Sequence, residues 1–163
     1  VVGRYMETAG TSESGYNHRL WSTTTRDFVT FSEPQPLYDP GFSVIDGSFA
    51  YAPDGSLHLI VKDETVTPPR KWLRSAPAQS PSGPFGPLSA PFSPSWVEGP
   101  MTARVGDAVL CYYDIYKEGR WGAVMTRDMV TWQDVSDRLT LPPGARHGSL
   151  LRVPNHLIDA IKA

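Results

Sequence analysis

Thr25-Arg26-Asp27-Phe28-Val29-Thr30-Phe31 returns 101 positions later as Thr126-Arg127-Asp128-Met129-Val130-Thr131-Trp132, with five of seven residues identical. A degenerate copy stands between them, Arg74-Ser75-Ala76 followed by Ser80-Pro81-Ser82-Gly83-Pro84-Phe85. Two steps between the outer copies give a unit of about 50 residues, the period of a propeller blade. A second element keeps the same period. Ile45-Asp46-Gly47 is followed by Phe49, Pro53-Asp54-Gly55 and the apolar run Leu57 to Val61; Val97-Glu98-Gly99 is followed by Met101, Gly106-Asp107 and the run Val109 to Tyr113. In each unit a short strand enters a tight Asp/Gly hairpin and a longer apolar strand leaves it.

Composition agrees with that reading. The chain has 163 residues, enough for one domain. Its 16 prolines and 14 glycines exclude a helical bundle, because each interior proline costs a helix about 3 kcal/mol. Fifteen basic against 17 acidic residues give a net charge of −2, which argues against a nucleic-acid partner or a membrane surface. No apolar stretch reaches the roughly 18 residues of a membrane span. The single cysteine, Cys111, can form neither an intrachain disulfide nor a cysteine-rich zinc site, and its apolar neighbours read as a buried strand. The sequence opens on Val1, so we expect an upstream segment to have been removed.

The expected strands lie near 2–6, 18–25, 46–51, 57–62, 71–76, 98–104, 108–114, 121–126 and 148–153. Segments 77–95 and 140–147 read as loops. The tail, 155–163, reads as one short helix with Leu157, Ile158 and Ile161 on one face and Asn155 as its cap. The fold class is all-β, a β-propeller of about three blades, with a small sandwich as the alternative. The opening unit reads as the outer strands of a blade whose inner strands are missing. Residues 1–163 are therefore expected to be a partial propeller catalytic domain that lacks its N-terminal blades.

Asp46 and Glu98 fall at matching places in successive units, each followed by glycine. The innermost strand of a blade lines the central channel, so two adjacent blades would present two carboxylates to one funnel. Glycoside hydrolysis uses such pairs, one protonated to donate to the leaving oxygen and one ionised. The plain alternative is a pair of solvated strand-end charges.

Val44-Ile45-Asp46-Gly47-Ser48-Phe49, Val97-Glu98-Gly99-Pro100 and Ala145-Arg146-His147-Gly148-Ser149 resemble the successive motifs of glycoside hydrolase family 43. The resemblance runs from about Arg4 to Pro154. It implies a five-bladed propeller that acts on arabinofuranosides or xylosides with inversion, a carbohydrate partner, and no required cofactor. By the same resemblance Glu98 is the general acid, and Asp46 is the carboxylate that raises the acid's pKa and orients it. His147 is a channel histidine that binds water or a cation such as Ca2+. The family's general base is an aspartate on the first blade, and this chain has no position for it; Asp39-Pro40 reads as a turn. The isolated chain is therefore expected to be inactive and, with blade faces uncovered, to self-associate. Trp96, two residues before Glu98, is a candidate sugar-stacking ring, and Arg146 a candidate for a substrate hydroxyl. Trp132 and Phe31 share a repeat position and read as blade packing. His18, His58 and His156 read as strand or surface residues. A polysaccharide substrate implies an extracellular or periplasmic site, with a cytoplasmic oligosaccharide degrader as the alternative. A non-catalytic carbohydrate-binding propeller and a retaining fructan-active propeller are the competing functions.

Overall fold

A computed structural model describes residues 2–6, 16–141, 145, 147–150 and 152–162. They form three antiparallel sheets in chain order. The first holds β1 (Val2–Met6), β2 (His18–Ser22) and β3 (Gln35–Tyr38). The second holds β4 (Val44–Tyr51), β5 (Leu57–Asp63) and β6 (Leu73–Ala78), and a bridge from Ala78 to Phe85 marks where a fourth strand would lie. The third is complete, with β7 (Glu98–Val105), β8 (Ala108–Ile115), β9 (Arg120–Thr126) and β10 (Gln133–Asp134). Both β1 and β7 pack against β4, so the sheets follow one another as blades. The chain is an all-β propeller assembly. Among the described residues no helix is long and apolar enough to cross a membrane.

The repeated heptapeptide is a turn built the same way twice. Asp27 Oδ1 accepts the N–H groups of Val29 and Thr30 at 2.9 and 2.8 Å; Asp128 Oδ1 accepts those of Val130 and Thr131 at 2.9 and 2.7 Å. Thr25 and Thr126 hydroxyls accept from Phe28 and Met129, and both of those residues have positive φ. The amide donors hold both carboxyls near 2, below the usual 3.8. The turn joins β2 to β3 and β9 to β10. By that equivalence β1 matches β8.

The apolar run Leu59-Ile60-Val61 of β5 follows from its position as a middle strand covered on both faces. Leu59 and Val61 point into a cluster shared with the first sheet, alongside Leu20 and Val44. Ile60 points the other way, into a cluster with Val97, Val109, Cys111, Tyr113 and Met129 of the third. Each such side chain, once fully buried, contributes about 1.5–3 kcal/mol. Burial pushes the Cys111 thiol well above its ordinary range, so it is an inert core residue, as expected.

Three expectations need correction. Residues 148–150 and 152–154 are not strand: among the described residues they join none of the three sheets. Strands β3 and β10 were not expected; the first contains Pro36 and the second has only two residues, both exposed. The tail is helical, α1 (Asn155–Lys162), but Asn155 is its first residue rather than the cap preceding it, and the Leu157 N–H reaches Pro154 O at 3.0 Å.

Candidate active site

The ladders β4–β5 and β7–β8 are each interrupted once, between Ile45 and Ser48 and between Glu98 and Met101. At each bulge one residue has left-handed backbone, Asp46 with φ 54° and Gly99 with φ 59°. Asp46 therefore matches Gly99, and Glu98 matches Ile45. Val44 and Val97, one position earlier, are both fully buried. This corrects the equivalence of Asp46 with Glu98. The 52–56 turn is one residue longer than its counterpart, so matching positions lie 53 apart on β4 and β7 but 52 apart on β5 and β8.

The slip is what brings the two carboxylates together. Glu98 extends from the strand, whereas Asp46 turns toward the next blade through its left-handed backbone, which aspartate tolerates better than most residues. Its Oδ2 accepts the Gly99 N–H at 2.9 Å. A second link between these strands is the Thr102 hydroxyl, which donates to Phe49 O at 2.9 Å. His147 Nε2 lies 3.3 Å from Glu98 Oε1. One oxygen each of Asp46 and Glu98 and a ring nitrogen of His147 fall within 4.8 Å of one another. Gly99 makes this approach possible, since a Cβ there would sit 2.1 Å from His147 Cδ2. An open cleft of about 400 Å³ adjoins the cluster, lined by residues 46–49 of β4, 99–102 of β7 and 147–150.

Behind Glu98 lies a charged network that the sequence reading missed. Lys62, at the end of β5, is 2% exposed; its Nζ lies 2.9 Å from Glu64 Oε2 and 3.3 Å from Glu98 Oε2. Lys71 Nζ reaches Glu64 Oε1 at 2.6 Å. Burial works against the Lys62 ammonium, but Glu64, with Tyr116 and Glu98, outweighs it and holds Lys62 above the ordinary lysine range. Burial also opposes the Glu64 carboxylate, and the hydrogen bond from Lys71 together with Lys62 holds it below the usual range. The available signal was three consecutive ionisable residues, Lys62-Asp63-Glu64, closing a strand that is apolar through Val61; all three are buried.

Trp96 does not line the cleft. Its ring lies edge-on to Tyr116 with centroids 6.4 Å apart, and Lys62 Nζ sits 4.8 Å from the Tyr116 ring centroid, so Trp96 adjoins the Lys62 side of Glu98. Arg146 lies outside the described residues. Asp39 Oδ1 accepts the Gly41 N–H at 2.9 Å, as a turn residue does. Trp132 stacks on Phe92 at 4.1 Å, whereas its repeat partner Phe31 is 48% exposed. His18 and His58 lie on strands, and His156 is exposed on α1.

A family model described as "Probable glycosyl hydrolase domain", of the glycosyl hydrolase 43-related group, matches residues 4–159. Among solved structures the chain is similar to a family 117 glycoside hydrolase, Zg3597, produced by the marine bacterium Zobellia galactanivorans, with a TM-score of 0.61 and 17% identity over 88% of this chain and 47% of that one. It is also similar to a thermostable family-43 glycoside hydrolase, with a TM-score of 0.51 and 13% identity over 74% of this chain and 51% of that one. The chain thus spans about half the length of these structures. At such identities the likeness concerns the fold. No curated protein matches the chain.

Proposed function

We propose, from the premise that this chain belongs to the family-43-related glycosyl hydrolase domains, that it carries the acid side of an inverting glycosidase site. The observation behind this reading is the cluster of Asp46, Glu98 and His147 within 4.8 Å, of which Asp46 and His147 line a cleft between two inner strands and Glu98 lies beside it. An inverting acid and base stand about 6.5–9.5 Å apart so that water fits between base and sugar, and a retaining pair about 5–5.5 Å apart. With oxygens within 4.8 Å of each other, Asp46 and Glu98 lack the spacing of an inverting acid and base. The place of Asp46 suits a carboxylate that tunes and positions the acid. Glu98 then protonates the glycosidic oxygen, and a base outside these 163 residues activates the water on the opposite face. The substrates are arabinofuranosides or xylosides of plant-type polysaccharides or oligosaccharides, met outside the cytoplasm. The 163-residue chain by itself is inactive on this reading.

The test uses the native gene product on aryl pentosides. Glu98→Gln is expected to lower kcat by about 10²–10⁴ on a poor leaving group, with little loss on a dinitrophenyl glycoside, which needs no acid. NMR of the first-formed sugar is expected to show the inverted anomer. Retention, or turnover by the 163-residue chain that vanishes in E98Q, would overturn the proposal.

The same three side chains offer two carboxylate oxygens and one imidazole nitrogen to a cation such as Ca2+. Calcium takes six to eight oxygen ligands, so water and sugar hydroxyls would fill the rest of its sphere. The reaction as proposed needs no such ion. Loss of activity in EDTA with recovery on Ca2+ would favour this second arrangement; activity indifferent to EDTA removes it.

A further inference from the structure

We propose that Lys62 is a positioning residue of the site: from the second blade it holds Oε2 of Glu98 and meets the charge that appears on Glu98 as its proton leaves. The inference rests on reading Glu98 as the acid. Lys62 sits on β5, not on either inner strand, and crosses to the neighbouring sheet to reach Glu98 Oε2 at 3.3 Å. The matching position on β8 of the third sheet is Asp114.

Burial and geometry support the assignment. Two buried ammonium groups, Lys62 and Lys71, share the buried carboxylate of Glu64, which fixes Lys62 Nζ in place beside Glu98 Oε2. A buried ion pair contributes little to net stability compared with apolar packing. A fixed cation beside a group that becomes negative in the transition state contributes far more to rate. In the acid step the Glu98 O–H bond breaks and its electron pair stays on the carboxylate. The proton goes to the glycosidic oxygen as the C–O bond breaks, and the leaving group departs as a neutral alcohol. Lys62 keeps its proton throughout.

The test compares Lys62→Met and Glu98→Gln in the native gene product, using an alkyl pentoside and its dinitrophenyl counterpart. K62M is expected to lower kcat on the alkyl substrate by about 10²-fold and on the dinitrophenyl substrate by less than about threefold, the pattern of a weakened acid. A purely structural lysine would depress both rates by one factor. That result, or unchanged rates, overturns the proposal while E98Q still shows leaving-group dependence. If E98Q lacks that dependence, or the wild-type protein turns over neither substrate, the reading of Glu98 falls and this inference falls with it. Should K62M not fold, Lys62→Gln, which keeps a donor and drops the charge, gives the same comparison.

Discussion

The carboxylate of Asp46 accepts the backbone N–H of Gly99, the residue at the matching bulge one blade away, at 2.9 Å. This bond ties the two inner strands together beside Glu98. Hydrogen bonds to a charged group contribute about 1.5–3 kcal/mol. Asp46→Ala is therefore expected to destabilise the protein by about 2 kcal/mol and to abolish activity. Asp46→Asn keeps an acceptor oxygen and tolerates left-handed backbone, so it is expected to lose activity while keeping most of the stability. Denaturation midpoints and kcat of the two variants check this; equal destabilisation by both would show that the charge, not the acceptor, holds the strands together.

Gly99 is open to a second test. Any other residue there meets the His147 ring, and φ 59° is itself unfavourable for alanine. Gly99→Ala is expected to displace His147 from Glu98 and to cost about 1–3 kcal/mol, the usual range for backbone strain of this kind. The imidazole resonances of His147 should shift in NMR spectra of the variant. An unmoved His147 with unchanged stability would mean that the contact carries no constraint.

The blade period was legible because the Thr-x-Asp turn needs its side chains: the Thr25 and Asp27 oxygens bind backbone N–H groups, and Thr126 and Asp128 repeat the arrangement. The strand map succeeded where a strand is covered on both faces, as β5 and β8 are; it failed at β3, which holds Pro36 and only two apolar residues, at the two exposed residues of β10, and at 148–150 and 152–153. Asp46 and Glu98 were found by their glycine neighbours, yet their equivalence was off by one, because a single extra turn residue changes the strand register without disturbing the motif. Lys62 escaped notice because its contact with Glu98 reaches a neighbouring sheet, and periodicity within one strand carries no trace of that contact.

The network behind Glu98 makes stability depend on pH. Glu64 is held below its ordinary 4.5 in the folded protein, so its contribution is present above that value and is lost as pH falls through the lowered one. Lys62 is raised above its ordinary 10.5, so its contribution is present below 10.5 and is lost as pH rises through the raised value. Stability should therefore hold across neutral pH and decline at both ends. Glu64→Gln is expected to be less stable at pH 7 and to show a shallower acid limb in urea midpoints measured against pH. An acid limb as steep as in the wild-type protein would assign the acid sensitivity elsewhere, with Asp27 and Asp128, both held near 2, as the next groups to replace.

The first blade leaves uncovered a surface that the third blade buries. Met129 is 2% exposed and packs with the third sheet's core, and Trp132 stacks on Phe92 of the second blade. Their repeat partners Phe28 and Phe31 are 77% and 48% exposed. Contiguous apolar patches of this kind drive association in water. The isolated 163-residue chain is therefore expected to self-associate in light scattering, more strongly as concentration rises. Phe28→Ser together with Phe31→Ser should reduce that association without altering the Asp46–Gly99 side of the molecule, since the two rings contribute to neither buried cluster. A wild-type chain that stays monomeric at all concentrations would show that this surface needs no cover.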